Sequence, residues 1–110
     1  MWDGNDVASQ RRLTDRLREL GSLSSIELAH TGLRSRGFGS GYPPMGPSSV
    51  PNLKAESTVH SKAMDKSAIR DLRQSFRAAS RRAIDAGYDI AYVYAAHAAS
   101  ILWPLLAPGH

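Results

Sequence analysis

Hydrophobic positions recur along this chain with two distinct periods. In DVASQRRLTDRLREL, residues 6–20, Leu13, Leu17 and Leu20 fall at i, i+4 and i+7 and form one stripe of an α-helix. Asp6 offers an N-cap, and Gly21 stands just past the end, where a left-handed residue closes a helix. The period then shortens to two. In SLSSIELAH, residues 22–30, Ile26 and Leu28 alternate with Ser25, Glu27 and Ala29. The stretch predicts a strand with Glu27 on its smaller, more polar face.

Periodicity disappears over residues 31–64, which hold four of the six prolines and five of the nine glycines. A loop of this length inside a compact domain is a binding loop or a linker. GFGSG within it has the glycines of a phosphate loop, but Tyr42-Pro43-Pro44 follows where a helix would have to open, so a dinucleotide site is excluded. Helical periodicity returns in KSAIRDLRQSFRAASRRAIDAG, residues 66–87, where Ile69, Leu72, Phe76, Ala79, Ala83 and Ala86 share one face. Ser67 and Gly87 are its candidate caps, and its alanines allow a close approach to a sheet. In residues 88–95, Ala91 and Val93 then alternate with Ile90, Tyr92 and Tyr94 as a second strand.

The order helix, strand, long loop, helix, strand contains a βαβ unit, which implies an α/β fold with parallel strands. Sites in such folds gather at the C-terminal ends of the strands. Glu27 and His30 lie at that end of the first strand, Tyr94 and His97 at that end of the second. Each also has a structural explanation. A carboxylate on an inward face wants a partner, which an arginine would satisfy as well as a ligand. A buried histidine is commonly hydrogen-bonded to backbone, and His30 could equally orient the loop that follows it. Tyr92 reads as core, because aromatic residues favour strands.

Charge changes this picture little. Fourteen Lys and Arg against ten Asp and Glu give net +4 and a pI near 9.9, a balance that attracts anions. The arginines, however, alternate with acidic residues along the two helices, as on solvated helix faces, so no nucleic-acid partner is expected. The absence of cysteine excludes disulfides and thiolate-held metals or clusters within the chain. His60 and His110 form no metal-ligand pattern. No charged leader precedes an apolar run in the first dozen residues, which points to the cytoplasm. Residues 90–108 are free of Asp, Glu, Lys and Arg and about as long as a membrane span, yet His97, Ser100 and Pro104 interrupt them, so no membrane partner is expected.

Four stretches in order, MWDGNDVASQRRLTDRLRELGSLSSIELAHTG, GPSSVP, AMDKSAIRDLRQSFRAASRRAIDAGYDIAYVYAAH and within the last YVYAAH, resemble the barrel of the Old Yellow Enzyme family of FMN oxidoreductases. YVYAAH is similar to the trimethylamine and dimethylamine dehydrogenase branch. The likeness covers roughly residues 2–97. It implies a (β/α)8 barrel, a fold of about 250 residues, so residues 1–110 would form a partial FMN-binding domain and the rest of the barrel would lie outside this chain.

By this resemblance Glu27 stands where the family contacts the flavin ring. Tyr94 and His97 stand at its substrate-facing pair, and His30 joins them as a substrate-binding candidate. Tyr94 as the first of the pair resembles the amine dehydrogenases, which pass hydride equivalents from a small amine to flavin. Ala99 departs from the tyrosine that serves as proton donor in the family's reductases. The expectation is therefore an FMN-dependent oxidoreductase of small molecules, the pair Tyr94 and His97 being catalytic and no metal being required. The alternatives are a small membrane-associated protein and a basic nucleic-acid-binding module without enzymatic activity.

Overall fold

A computed structural model describes residues 3–32, 43–51, 60–95, 101, 102 and 105. Its elements are α1 (Asn5–Glu19), β1 (Ser25–Leu28), β2 (Met45–Gly46), β3 (Lys62–Ala63), α2 (Lys66–Asp85) and β4 (Ile90–Val93). They fall into two compact units, one of Met1–Leu28 with Arg70–Val93 and one of Ala29–Ile69 with Tyr94–His110.

In the first unit β1 and β4 pair in parallel, with Ser25 opposite Ile90, Ile26 opposite Ala91, Glu27 opposite Tyr92 and Leu28 opposite Val93. This is the arrangement that two strands joined through a crossover helix adopt. Both helices end in the same way. Gly21 (φ 72°) and Gly87 (φ 86°) take the left-handed conformation, Ser22 N–H reaches the carbonyl of Leu17, and Tyr88 N–H reaches that of Ala83. One late carbonyl of each helix, that of Leu17 and that of Ala83, is thereby satisfied.

The two N-termini differ from the caps that the sequence suggests. Gly4 occupies the cap position of α1. Asp6 already lies within the first turn and reaches backwards, its carboxylate accepting from Asp3 N–H at 3.2 Å, while Asp3 Oδ1 accepts from Asn5 N–H at 2.7 Å. At α2 the cap is Asp65, whose Oδ1 accepts from Ala68 N–H at 2.8 Å. Ser67 is two positions too deep in the helix to do this.

The apolar face of α2 is enclosed as its periodicity predicts, with Leu72, Ala83 and Ala86 buried and Ile69, Phe76 and Ala79 half-buried. The leucine stripe of α1 lies largely open in this chain. Leu13 and Leu20 are 49% and 65% exposed, and the buried residue of that helix is Thr14. The face of α1 that meets the end of α2 is polar, made of Arg11, Thr14 and Arg18. Thr14 Oγ1 donates to the carbonyl of Ala86 at 2.6 Å, Arg18 Nη2 to that of Gly87 at 3.0 Å, and Arg11 Nη2 to that of Asp85. One stripe of α1 thus saturates three successive carbonyls at the negative end of α2, two of them with a cationic donor. Two arginines that sequence reading assigns to a solvated face are used here.

In the second unit the long loop contains structure too short to carry a period. β2 and β3 pair in parallel, Met45 with Lys62 and Gly46 with Ala63, and a single antiparallel bridge joins Pro51 to His60. Ser61, buried, ties the two passages together. Its hydroxyl lies 2.9 Å from the carbonyl of Ser48 and accepts from Val50 N–H at 3.0 Å, while its own N–H donates to the carbonyl of Val50 at 3.0 Å. The GFGSG stretch lies outside the described residues. No helix among the described residues is long and apolar enough to cross a membrane, and the apolar stretch 90–108 begins as a strand, β4.

Candidate functional site

The parallel register brings the C-terminal ends of β1 and β4 to one edge of the pair, at Leu28 and Val93. Register partners share a face, so Glu27 and Tyr92 stand side by side, with Ser25 and Ile90 one step behind them. That face is open in this chain: Glu27 is exposed and Tyr92 is 54% exposed. Tyr92 is therefore not enclosed as a core residue would be, and Glu27 escapes the desolvation cost that an inward carboxylate would bear.

The opposite edge of the same pair is built for rigidity. Asp89 Oδ2 accepts from both the N–H and the hydroxyl of Ser24, at 2.8 and 3.0 Å. The backbone bond, then the hydroxyl bond, hold the Asp89 carboxyl below its ordinary pKa.

In the second unit His30 is half-buried. Its Nδ1 accepts from Gly32 N–H at 3.0 Å and its carbonyl accepts from Ile101 N–H at 2.9 Å. A ring nitrogen that accepts from a backbone N–H carries no proton, so the neutral ring has its hydrogen on Nε2. Burial lowers its pKa and favours that neutral form. Tyr94 is half-buried. His97 lies outside the described residues, as does His110, and His60 is exposed at its bridge. Among the described residues no group of three His, Cys, Asp or Glu could hold a metal ion.

Residues 1–101 match the model of the NADH:flavin oxidoreductase / NADH oxidase family. The chain belongs to that family. An NADPH dehydrogenase of Geobacillus sp. (strain WCH70) is 34% identical over 97 residues, which make up 88% of this chain and 27% of that protein. The chain thus spans about a quarter of the length of the curated relatives it matches. Among solved structures, histamine dehydrogenase from Rhizobium sp. 4-9 superposes with a TM-score of 0.83 at 32% identity, over 92% of this chain and 16% of its own. The 6-hydroxypseudooxynicotine amine oxidase of Pseudomonas geniculata N1 gives 0.90 at 29%, over 97% and 16%. An old yellow enzyme homologue of Zymomonas mobilis, at 23% identity and a TM-score of 0.80 over 90% and 30%, shares the fold.

These neighbours are (β/α)8 barrels, and the family member described here is an α/β chain covering part of that barrel. FMN is the cofactor of the family. The open β1–β4 face fits it chemically. A flavin ring presents an N–H donor flanked by carbonyls, and Glu27 offers an exposed carboxylate acceptor on that face, beside an aromatic ring.

Residues that sequence reading passed over are structural ones. Arg11, Thr14 and Arg18 lie at i, i+3 and i+7, a stripe visible in the sequence once helix–helix capping is considered. Ser24, Asp89 and Ser61 leave no comparable signal, because their partners are distant in sequence.

Proposed function

We propose that residues 1–110 are the sector of an FMN-binding barrel domain that supplies one wall of its active site, in an enzyme that dehydrogenates a small amine or similar substrate. The supporting observation is the in-register parallel pairing of β1 and β4, which carries Glu27 and Tyr92 to one strand edge, in a chain that superposes on two amine-oxidising barrels. FMN, when bound, supplies the two-electron acceptor. Glu27 holds the flavin through its carboxylate. Tyr94 and His97, on the exit of β4, face the substrate and orient its amine, and His30 contributes its Nε2–H as a further donor. The cytoplasm is where we place this enzyme, an assignment that cell fractionation checks.

The NADPH dehydrogenase relatives favour a second reading, in which reduced nicotinamide feeds the flavin. Ala99 weighs against it as far as an enone reductase is concerned, since the tyrosine proton donor of that half-reaction is missing. One experiment separates the two. Residues 1–101 are grafted in place of the matching stretch of the histamine dehydrogenase barrel, and bleaching of the oxidised flavin band is followed with amines and with NADPH. Amine-dependent bleaching that His97→Ala slows far more than it lowers FMN content supports the amine reading. Bleaching by NADPH alone favours the second. Full turnover in His97→Ala removes that residue from the mechanism.

A further inference from the structure

The strand pair of the first unit has little in its own side chains to fix its register. All four residues of β4 are exposed, and both of its faces are apolar, Ile90 and Tyr92 on one and Ala91 and Val93 on the other. A strand whose faces are alike slips at little cost, because burial does not tell one alignment from the next. Ladder hydrogen bonds do not tell them apart either, since neighbouring registers make equivalent backbone pairs. Yet the alignment decides which residue stands beside Glu27.

What distinguishes the observed register lies one step ahead of its first pair. Ser24 precedes Ser25 and Asp89 precedes Ile90, and Ser24 is tied to residues 89 and 90 by four hydrogen bonds. Asp89 Oδ2 accepts from the Ser24 N–H at 2.8 Å and from its hydroxyl at 3.0 Å, while the Ser24 carbonyl accepts from Asp89 N–H and Ile90 N–H, both at 3.1 Å. Ser24 is 4% exposed, so an alignment that moved it off Asp89 would leave a buried hydroxyl and N–H without that partner, at a desolvation cost. The stretch that leads into β4 is held in a similar way. Thr14 takes the carbonyl of Ala86, Arg18 that of Gly87, and the Tyr88 hydroxyl donates to Gln10 Oε1. β4 therefore enters the pair from a connector fastened at each of residues 86–89.

We infer that Asp89 and Ser24 are positioning residues: their contact at the N-terminal edge selects the register of β1 and β4, and through it the placement of Glu27 beside Tyr92. The register lock stands on the hydrogen bonds alone, whereas its consequence for FMN rests on the functional reading above, in which Glu27 holds the flavin.

The test is the cross-strand Overhauser pattern of the 15N,13C-labelled chain. The wild-type chain is expected to pair Glu27 with Tyr92. Asp89→Ala is expected to lose that pairing, or to show Glu27 against Ile90, Ala91 or Val93 as well. Asp89→Asn is expected to keep it, because its Oδ1 still accepts from Ser24 N–H. Thr14→Val is the control, since it loosens the same unit and leaves the lock intact. A Glu27–Tyr92 pairing that is missing from the wild type, that survives undisturbed in Asp89→Ala, or that Thr14→Val disturbs equally overturns the lock. Should Asp89→Ala fail to fold, Ser24→Ala decides by amide exchange. Roughly threefold faster exchange at Asp89 and Ile90 with Ala86 unchanged supports the lock, and no change, or the same change at all three, overturns it.

In the grafted barrel the consequence is read as FMN affinity, reduced roughly tenfold in Asp89→Ala, as for the loss of one charge-assisted hydrogen bond, and recovered in Asp89→Asn. A register that slips with FMN affinity unchanged overturns that consequence and removes Glu27 from flavin binding. A graft that binds no FMN sinks the functional reading, while the Overhauser pattern still decides the lock.

Discussion

Thr14 Oγ1 donates to the carbonyl of Ala86 at 2.6 Å, in the one buried position of α1. A hydroxyl occupies the place where a leucine would be expected in an amphipathic helix. It is there because the surface it meets is the polar end of α2, with Arg11 and Arg18 on the neighbouring carbonyls.

Removing that hydroxyl without changing shape should therefore be costly. Thr14→Val leaves the Ala86 carbonyl facing a methyl group in a dry contact, and a loss of roughly 1–3 kcal/mol is expected. Thr14→Ser keeps the donor and should recover most of it. Urea unfolding of the two variants checks the difference, and equal stabilities would show that the hydrogen bond contributes nothing net.

The two left-handed glycines make a second comparison. Gly21→Ala meets only the conformational penalty, about 1–2 kcal/mol. Gly87→Ala meets that penalty and also places a β-carbon 3.1 Å from Thr14 Oγ1, in the contact just described. Thermal denaturation should rank Gly87→Ala as the more damaging, and the reverse order would mean that α1 and the end of α2 yield easily to each other.

Acid stability should depend on Asp89. Its folded pKa is depressed, chiefly by the Ser24 N–H and then by the Ser24 hydroxyl. A group of this kind contributes stability above its unfolded value, near 3.8, and loses it as the pH falls through the lower folded value. The wild-type chain should weaken across that acidic interval. Asp89→Asn should start weaker at neutral pH and show a flatter acid limb when unfolding is followed from pH 6 downward.

His30 should act in a higher window with the same sign. Burial depresses its pKa from 6.5, so the neutral ring is the native form. Its contribution is complete above pH 6.5 and declines as the pH falls toward the folded value, because protonation removes the Nδ1 acceptor for Gly32 N–H. His30→Asn should abolish that slope between pH 7 and 5. A slope that persists in the variant would have to come from another group.

Helices and strands were legible in this sequence wherever a period ran for several turns, as in α2, where Leu72, Ala83 and Ala86 are enclosed as expected. The α/β class and the barrel sector followed from the order of those elements and from the resemblance. Direction was harder to read than existence. The leucines of α1 make as good a stripe as the apolar face of α2, yet Leu20 is 65% exposed, because periodicity names a face and cannot say which surface it meets. β2 and β3 escaped notice for a simpler reason, since two residues cannot display alternation. At the site, the edge location of Glu27 was readable from strand period alone. The bond of His30 Nδ1 to Gly32 N–H fits the loop-orienting alternative that the sequence left open, whereas the bond of its carbonyl was not readable, because it joins residues 30 and 101.

That same separation governs how the sheet can assemble and vary. Ser25 pairs with Ile90, so the two strands meet only after a long stretch of intervening chain has been gathered in, whereas each helix closes with residues beside it. The helices can form early and the strand pair must come late. The entropic cost of closing such a loop rises only with the logarithm of its length, about 0.6 kcal/mol per doubling. The excursion between β1 and α2 can accordingly lengthen or shorten among relatives at little thermodynamic expense, while the strand register that aligns Glu27 with Tyr92 stays where it is.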